Sequence, residues 1–309
     1  MDGRPVKLEG HELFHGGGTD SFAQATLLDL YDIDRSRAVL QDSAPSDWSA
    51  FDAFCASDLA GVAADKIAVV APAMSGPSAK AAKKSFLAKF PGARWVTFEP
   101  VCLDHLVNAT TAVFGAPMRP DHKWDEADCV LVLDGDPLGT DADATGNARG
   151  WAAKRTPDSH GHMSRVYAFE SILSVTGANA DERHTVSAAD FPALAAAFEA
   201  AISGGSVEAP AGLAEAVAHA VEDLKAAGKH ALVVAGADAD PSVQAAACRM
   251  NAALGSIGTT AFWRPLNDAP LASDMQAFMK DADAGSFEAI IVLDANPAHD
   301  VEGFAAAYA

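Results

Sequence analysis

Positive charge is scarce in this chain: 22 lysines and arginines stand against 42 aspartates and glutamates, a formal net charge of -20. A surface that acidic repels phosphates, which argues against nucleic acid or an anionic membrane surface as a direct partner. Two readings of the acidity stay open, a solvated surface that maintains solubility and adaptation to salt. Cysteine is scarce too. Cys55, Cys102, Cys129 and Cys248 are scattered with no C-x-x-C pair, so no disulfide framework and no local zinc or iron–sulfur motif is legible, and small buried hydrophobes are expected. No apolar run approaches the roughly 20 residues that span a bilayer, and the start Met1-Asp-Gly-Arg-Pro5 does not read as a signal peptide. The expectation is a soluble chain with no direct membrane span.

What is present is apolar patterning. Half the residues are hydrophobic, which excludes a disordered chain, and 309 residues exceed what one core usually organises. Two apolar runs end alike: Cys129-Val-Leu-Val-Leu-Asp134-Gly-Asp136-Pro137 and Ala289-Ile-Ile-Val-Leu-Asp294-Ala-Asn296-Pro297. A buried strand stopping at Leu-Asp-x-[Asp/Asn]-Pro sets a carboxylate, a turn and a proline at the strand's carboxyl end, where open α/β sheets build their ligand crevice. The pair implies two copies of one plan.

Periodicity and stop signals predict an alternating order. Residues 1–62 read as an irregular, glycine-rich extension closed by a first helix that Ser46 caps and that runs to Gly61. A first α/β unit spans 63–205, with strands at 66–70, 94–98, 129–134 and 165–169 and helices at 77–90, 100–114, near 147–154 and from 190 to the Gly204-Gly205 stop. A second unit spans 206–309: a helix at 211–227, a strand at 231–235, a helix opened by Asp240-Pro241 and ended by Gly255, strands at 259–263 and 288–294, and a helix near Met275. Strands separated by helices call for crossovers and parallel sheets, so the fold class is α/β with two doubly wound, mainly parallel-sheet units.

Two motifs invite chemistry directly. His11-Glu12-Leu13-Phe14-His15 matches H-E-x-x-H, which binds zinc when both histidines share a helix face beside a general-base glutamate. Gly10 before it and Gly16-Gly17-Gly18 after it leave too few residues for such a helix, so a zinc metallopeptidase competes with a loop bearing two solvent-facing histidines. Asp134-Gly-Asp136 resembles the nucleophile strand of haloacid-dehalogenase-like phosphatases. That chemistry also needs a lysine, a Ser/Thr and a magnesium-binding carboxylate pair, and the strand ends at Val70, Phe98 and Ala235 carry none of them. Turn-capping carboxylates are the competing reading. The glycines at 16–18 do not form a nucleotide P-loop, and His160-Gly-His162 reads as a solvated turn.

The order of segments carries a family resemblance. Lys7-Leu-Glu-Gly10, Leu30-Tyr-Asp-Ile-Asp-Arg-Ser-Arg37, Pro45-Ser-Asp-Trp48, Trp95-Val-Thr-Phe-Glu99-Pro100, Asp134-Gly-Asp136-Pro-Leu-Gly139, Met163-Ser-Arg165-Val-Tyr167 with Glu170-Ser171, Thr176-Gly177-Ala-Asn-Ala-Asp181 and Asn251-Ala-Ala-Leu-Gly255 follow one another along the chain. Together they resemble the molybdopterin oxidoreductase-like family of the DMSO reductase superfamily, and within it the large iron–sulfur/molybdopterin-like subunit of bacterial alternative complex III, a quinol-oxidising respiratory complex. The resemblance implies a degenerate pterin crevice at Asp134, Gly135, Asp136, Pro137, Asn296 and Pro297. Active relatives bind a 4Fe–4S cluster through N-terminal cysteines, which the segment up to Asp20 lacks, as well as molybdopterin guanine dinucleotide. No cofactor is therefore expected in this chain.

Cys102, twelve positions before Phe114, matches by resemblance the spacing of a molybdenum-ligating cysteine, with a buried thiol as the alternative. What the resemblance implies is a cofactor-less scaffold region of a membrane-associated electron-transfer complex on the periplasmic face, partnered by iron–sulfur, haem c and quinol-binding membrane subunits. The alternative is an active molybdenum-pterin oxidoreductase. By resemblance the chain also begins past an export signal and ends before later domains, so the strand at 289–293 is expected to have an open flank.

Overall fold

The computed structural model describes residues 3–13, 18–157, 159 and 161–307. Its strands are β1 (Val39–Gln41), β2 (Ala44–Ser46), β3 (Ile67–Ala71), β4 (Arg94–Thr97), β5 (Met118–His122), β6 (Cys129–Leu133), β7 (Arg165–Glu170), β8 (Glu182–Thr185), β9 (Ala231–Ala235), β10 (Ala261–Pro265) and β11 (Ala289–Val292). The fold is α/β with parallel sheets. Among the described residues no helix is long and apolar enough to cross a membrane.

The chain forms two compact units, and they are interleaved rather than sequential. One comprises Met1–Tyr31 and His105–Asn267, the other Asp32–Asp104 and Asp268–Ala309. This division differs from boundaries at 62 and 205, and strand pairing is the reason: β9 adds to the sheet of β6, while β11 adds to that of β3. Sequence order cannot reveal which earlier strand a later one joins.

The first unit is built on a four-stranded parallel sheet in the order β8-β7-β6-β9. β6, β9 and residues 166–169 of β7 are apolar on both sides because both faces are covered. Leu131, Leu133, Tyr167, Phe169 and Val233 point into one core with the helices Phe191–Ile202, Ala214–Ala227 and Pro241–Leu254. Their neighbours Val130, Val132, Val166, Leu232 and Val234 pack on the opposite side with Trp124, Leu138 and Trp151, the last of these on the Ala144–Ala153 helix. Odd and even residues thus divide cleanly between two cores. Asp240 caps the Pro241–Leu254 helix by accepting the Ser242 amide at 2.8 Å, and Gly255 ends it at φ 75°.

Several elements depart from expectation. A helix at Ser21–Tyr31, opened by the Asp20 carboxylate accepting the Ala23 amide, replaces part of the irregular extension. It buries no residue, so no amphipathic stripe announced it. Strands β5 and β8 were not foreseen; β5 contains Pro120 and pairs only with β10, antiparallel, while β8 is a charged edge strand, Glu-Arg-His-Thr.

The second unit holds the parallel sheet β11-β3-β4. Ala68, Val70, Val96 and Phe98 pack on Met275 and Phe278 of the Ala272–Asp283 helix. The β1–β2 hairpin turns through Asp42 and Ser43, both left-handed at φ 48° and 65°, the twist that two-residue hairpins favour. The first helix of this unit, Trp48–Asp58, is capped by Asp47, which accepts the Ala50 amide at 2.8 Å; Ser46 instead ends β2. The helix foreseen at 100–114 starts only at Asp104, since Leu103 is drawn aside to donate to the Pro270 carbonyl at 3.0 Å. β11 is an edge strand beside β3, and Val292 and Leu293 are 40% and 38% exposed.

Candidate functional site

In the first unit the chain runs β6, β7, β8 in one direction and then returns to lay β9 on the free side of β6. Strand order reverses between β6 and β9, and open α/β sheets bind ligands outside the carboxyl ends at such a point. The turns found there are Asp134-Gly-Asp136-Pro137 after β6 and Gly236-Ala-Asp238 after β9.

Asp134 extends the ladder by donating its amide to Phe169 O at 2.8 Å, then turns the chain at φ 48°. Its Oδ1 accepts the Ser171 hydroxyl at 3.0 Å. Gly135 and Gly236 meet backbone to backbone: a Cβ on Gly135 would lie 2.7 Å from Gly236 Cα, and Gly236 N donates to Leu133 O at 3.0 Å. These glycines are consumed by the close packing of two loops, a role that leaves them no approach to a ligand.

The Asp136 carboxylate is saturated. Oδ1 accepts the amide and hydroxyl of Thr176, both at 2.8 Å, and Oδ2 accepts the amide and hydroxyl of Thr140 at 3.2 and 3.4 Å. The Asp136 amide donates to Asp141 Oδ2 at 2.9 Å. Pro137 is buried, and its carbonyl accepts Asn147 Nδ2 at 3.1 Å. Burial raises the Asp141 pKa, the Asp136 amide partly offsets this, and the negative fields of Asp136, Asp238 and Asp134 add to the rise. At the end of β7, Glu170 is 3% exposed; it accepts the Ser174 hydroxyl at 2.6 Å and pairs with Arg183 Nε.

No lysine or arginine occurs in the strand-end segments 134–148, 171–182 and 236–248. A pterin dinucleotide presents a diphosphate, and these residues do not fit it: the turn carboxylates repel an anion and the glycines face each other. Even the first turn of the Ala144–Ala153 helix is guarded, because a Cβ on Gly146 would lie 2.8 Å from Asp143 Oδ1. A phosphatase reading gains nothing here either, since saturated Asp136 has no spare lone pair for acid/base work and the segments lack the required cation.

Of the residues singled out from sequence, Asp134, Gly135, Asp136 and Pro137 come together at this switch point. Cys102, Asn296 and Pro297 belong to the second unit. There Asp294 repeats the left-handed turn at φ 44°, and the Asn296 carbonyl accepts the amides of His299 and Asp300 at 2.9 and 3.1 Å as Pro297 opens a single helical turn. Cys102 is half-buried beside Asp104 on the wall of a cleft of about 560 Å³. Burial pushes the Cys129 and Cys248 thiols up to about 12 and about 11, as inert core thiols require. His11 lies outside any helix, and its Nδ1 accepts the Leu13 amide at 3.2 Å; His15 and His160 fall outside the described residues. Among the described residues no group of three or more His, Cys, Asp or Glu is arranged to hold a metal.

Ser171, Thr176, Asp141, Gly236 and Asp238 were not among the site residues singled out from the sequence, although Ser171 and Thr176 lie in segments that carry the family resemblance. Comparing the ends of β7 and β9 with that of β6 would have found Ser171 and Asp238, but only once those strands are known to flank β6. Compared with protein-family models and with curated proteins, the chain matches none.

Proposed function

We propose that this chain is a cofactor-less scaffold region, related to molybdopterin oxidoreductases, within a membrane-associated quinol-oxidising electron-transfer complex. The observation that carries the reading is the β6–β9 switch point. It keeps the strand-end turn of the resembled family, Leu133-Asp134-Gly135-Asp136-Pro137, while every charged group at the turn is a carboxylate occupied in holding the loops. A crevice retained in backbone but closed to a diphosphate suits a protein that keeps the architecture for assembly. In this reading electrons pass through iron–sulfur and haem groups held by partner subunits, on the periplasmic face, and the chain contributes surface.

The test is isolation of the tagged full chain from membranes of its source. Co-isolation with haem c and iron–sulfur subunits, in a fraction that oxidises quinol, is expected. Recovery of the chain alone from the soluble fraction would contradict the assignment.

A further inference from the structure

The second unit contains the cleft noted beside Cys102, and its volume of about 560 Å³ falls within the ~300–1,000 Å³ typical of small-molecule sites. One wall is the Ala272–Asp283 helix; facing it are the segment that follows β4 and the segment at 301–302. The floor is apolar: Phe98 and Met275 are only 7% and 5% exposed, and Met279 is half-buried beside them.

The walls are held in place before any ligand arrives. Glu99 Oε1 accepts the Ala73 amide at 2.9 Å, tying the segment after β4 to the loop after β3. Asp104 Oδ2 accepts the Ala272 amide at 2.8 Å, and Leu103 N donates to Pro270 O at 3.0 Å. A ligand entering such a cleft orders little of the protein.

Charge at the mouth decides the ligand class. Glu99, Asp283 and Glu302 line the cleft with Lys280. Three carboxylates against one ammonium leave the lining net negative, a field that favours a cation. Phe98 gives the cleft an apolar surface, and the two methionines adapt to varied apolar shapes. We propose that this cleft binds a small organic cation, an apolar body bearing an ammonium group, with the body over Phe98, Met275 and Met279 and the charge beside Glu99 and Glu302. This site is independent of the assembly proposed above.

The experiment uses the full chain with isotope-labelled methionine methyl groups, titrated separately with phenylbutylammonium, phenylbutanol and phenylbutanoate at low salt. These probes share one apolar body and differ in head charge. Saturable shifts at Met275 and Met279 are expected. The ammonium should bind tighter than the alcohol by about two- to fivefold, the worth of an exposed ion pair, and the butanoate most weakly. Glu302→Lys, at an exposed position, should narrow or reverse the order of ammonium and butanoate, and Ala272→Trp should abolish the shifts by filling the cleft. The proposal is overturned if butanoate binds as tightly as the ammonium, if neither methionine signal saturates, or if Glu302→Lys leaves the affinity ratio of ammonium to butanoate unchanged.

Discussion

Gly135 and Gly236 touch across the point where strand order reverses, so closely that a Cβ on Gly135 would lie 2.7 Å from Gly236 Cα. The two glycines sit at the ends of neighbouring parallel strands, and their contact closes the crevice floor with backbone. Any side chain at either position must separate the loops.

Gly236→Ala should therefore destabilise the protein by about 1–3 kcal/mol, the usual cost of overpacking, because its Cβ would run into the Asp134 carbonyl. Urea unfolding reads this as a lower midpoint at unchanged slope. An unshifted midpoint would mean the loops are farther apart than described.

Asp136→Ala should cost about 1–3 kcal/mol by leaving buried donors unpaired, since Thr176, fully buried, gives both its amide and its hydroxyl to that carboxylate. Asp136→Asn keeps one acceptor oxygen and should lose less. Amide exchange at Thr176 is the local readout, and equal protection in wild type and the alanine variant would remove Asp136 from its capping role.

Asp141 behaves oppositely, since burial raises its pKa above the ordinary 3.8. Between the unfolded and folded values the native state holds more protons than the unfolded chain, so stability falls as pH rises through that window. At neutral pH the penalty is complete. Asp141→Asn can still accept the Asp136 amide and should be more stable than wild type at pH 7, the gain shrinking to nothing as pH falls below about 3.8. Stability curves for both proteins across the acidic range measure this; a variant less stable at neutral pH would show that the carboxylate charge is wanted.

Much of the fold was readable because local signals and tertiary demands agree. The five apolar residues of β6 and of β9 can only be strands buried on both faces, and Asp240-Pro241 with Gly255 marks its helix to the residue. The turn at Asp134 was readable too, as was its repeat at Asp294. What stayed hidden depends on pairing. Glu-Arg-His-Thr of β8 has no apolar alternation and becomes a strand only because β7 offers an edge. Likewise the bonds from Ser171 and Thr176 to the two aspartates exist only because β7 lies beside β6. The interleaving of the units has the same origin, since β11 could have joined either sheet.

The most direct test of the scaffold reading is the molybdenum and pterin content of the chain isolated with its membrane partners. Metal analysis together with assay of the fluorescent pterin oxidation product should find neither in stoichiometric amount while quinol oxidation persists. Molybdenum and pterin together at stoichiometric levels, lost on replacing Cys102 by serine, would contradict it and identify an active oxidoreductase.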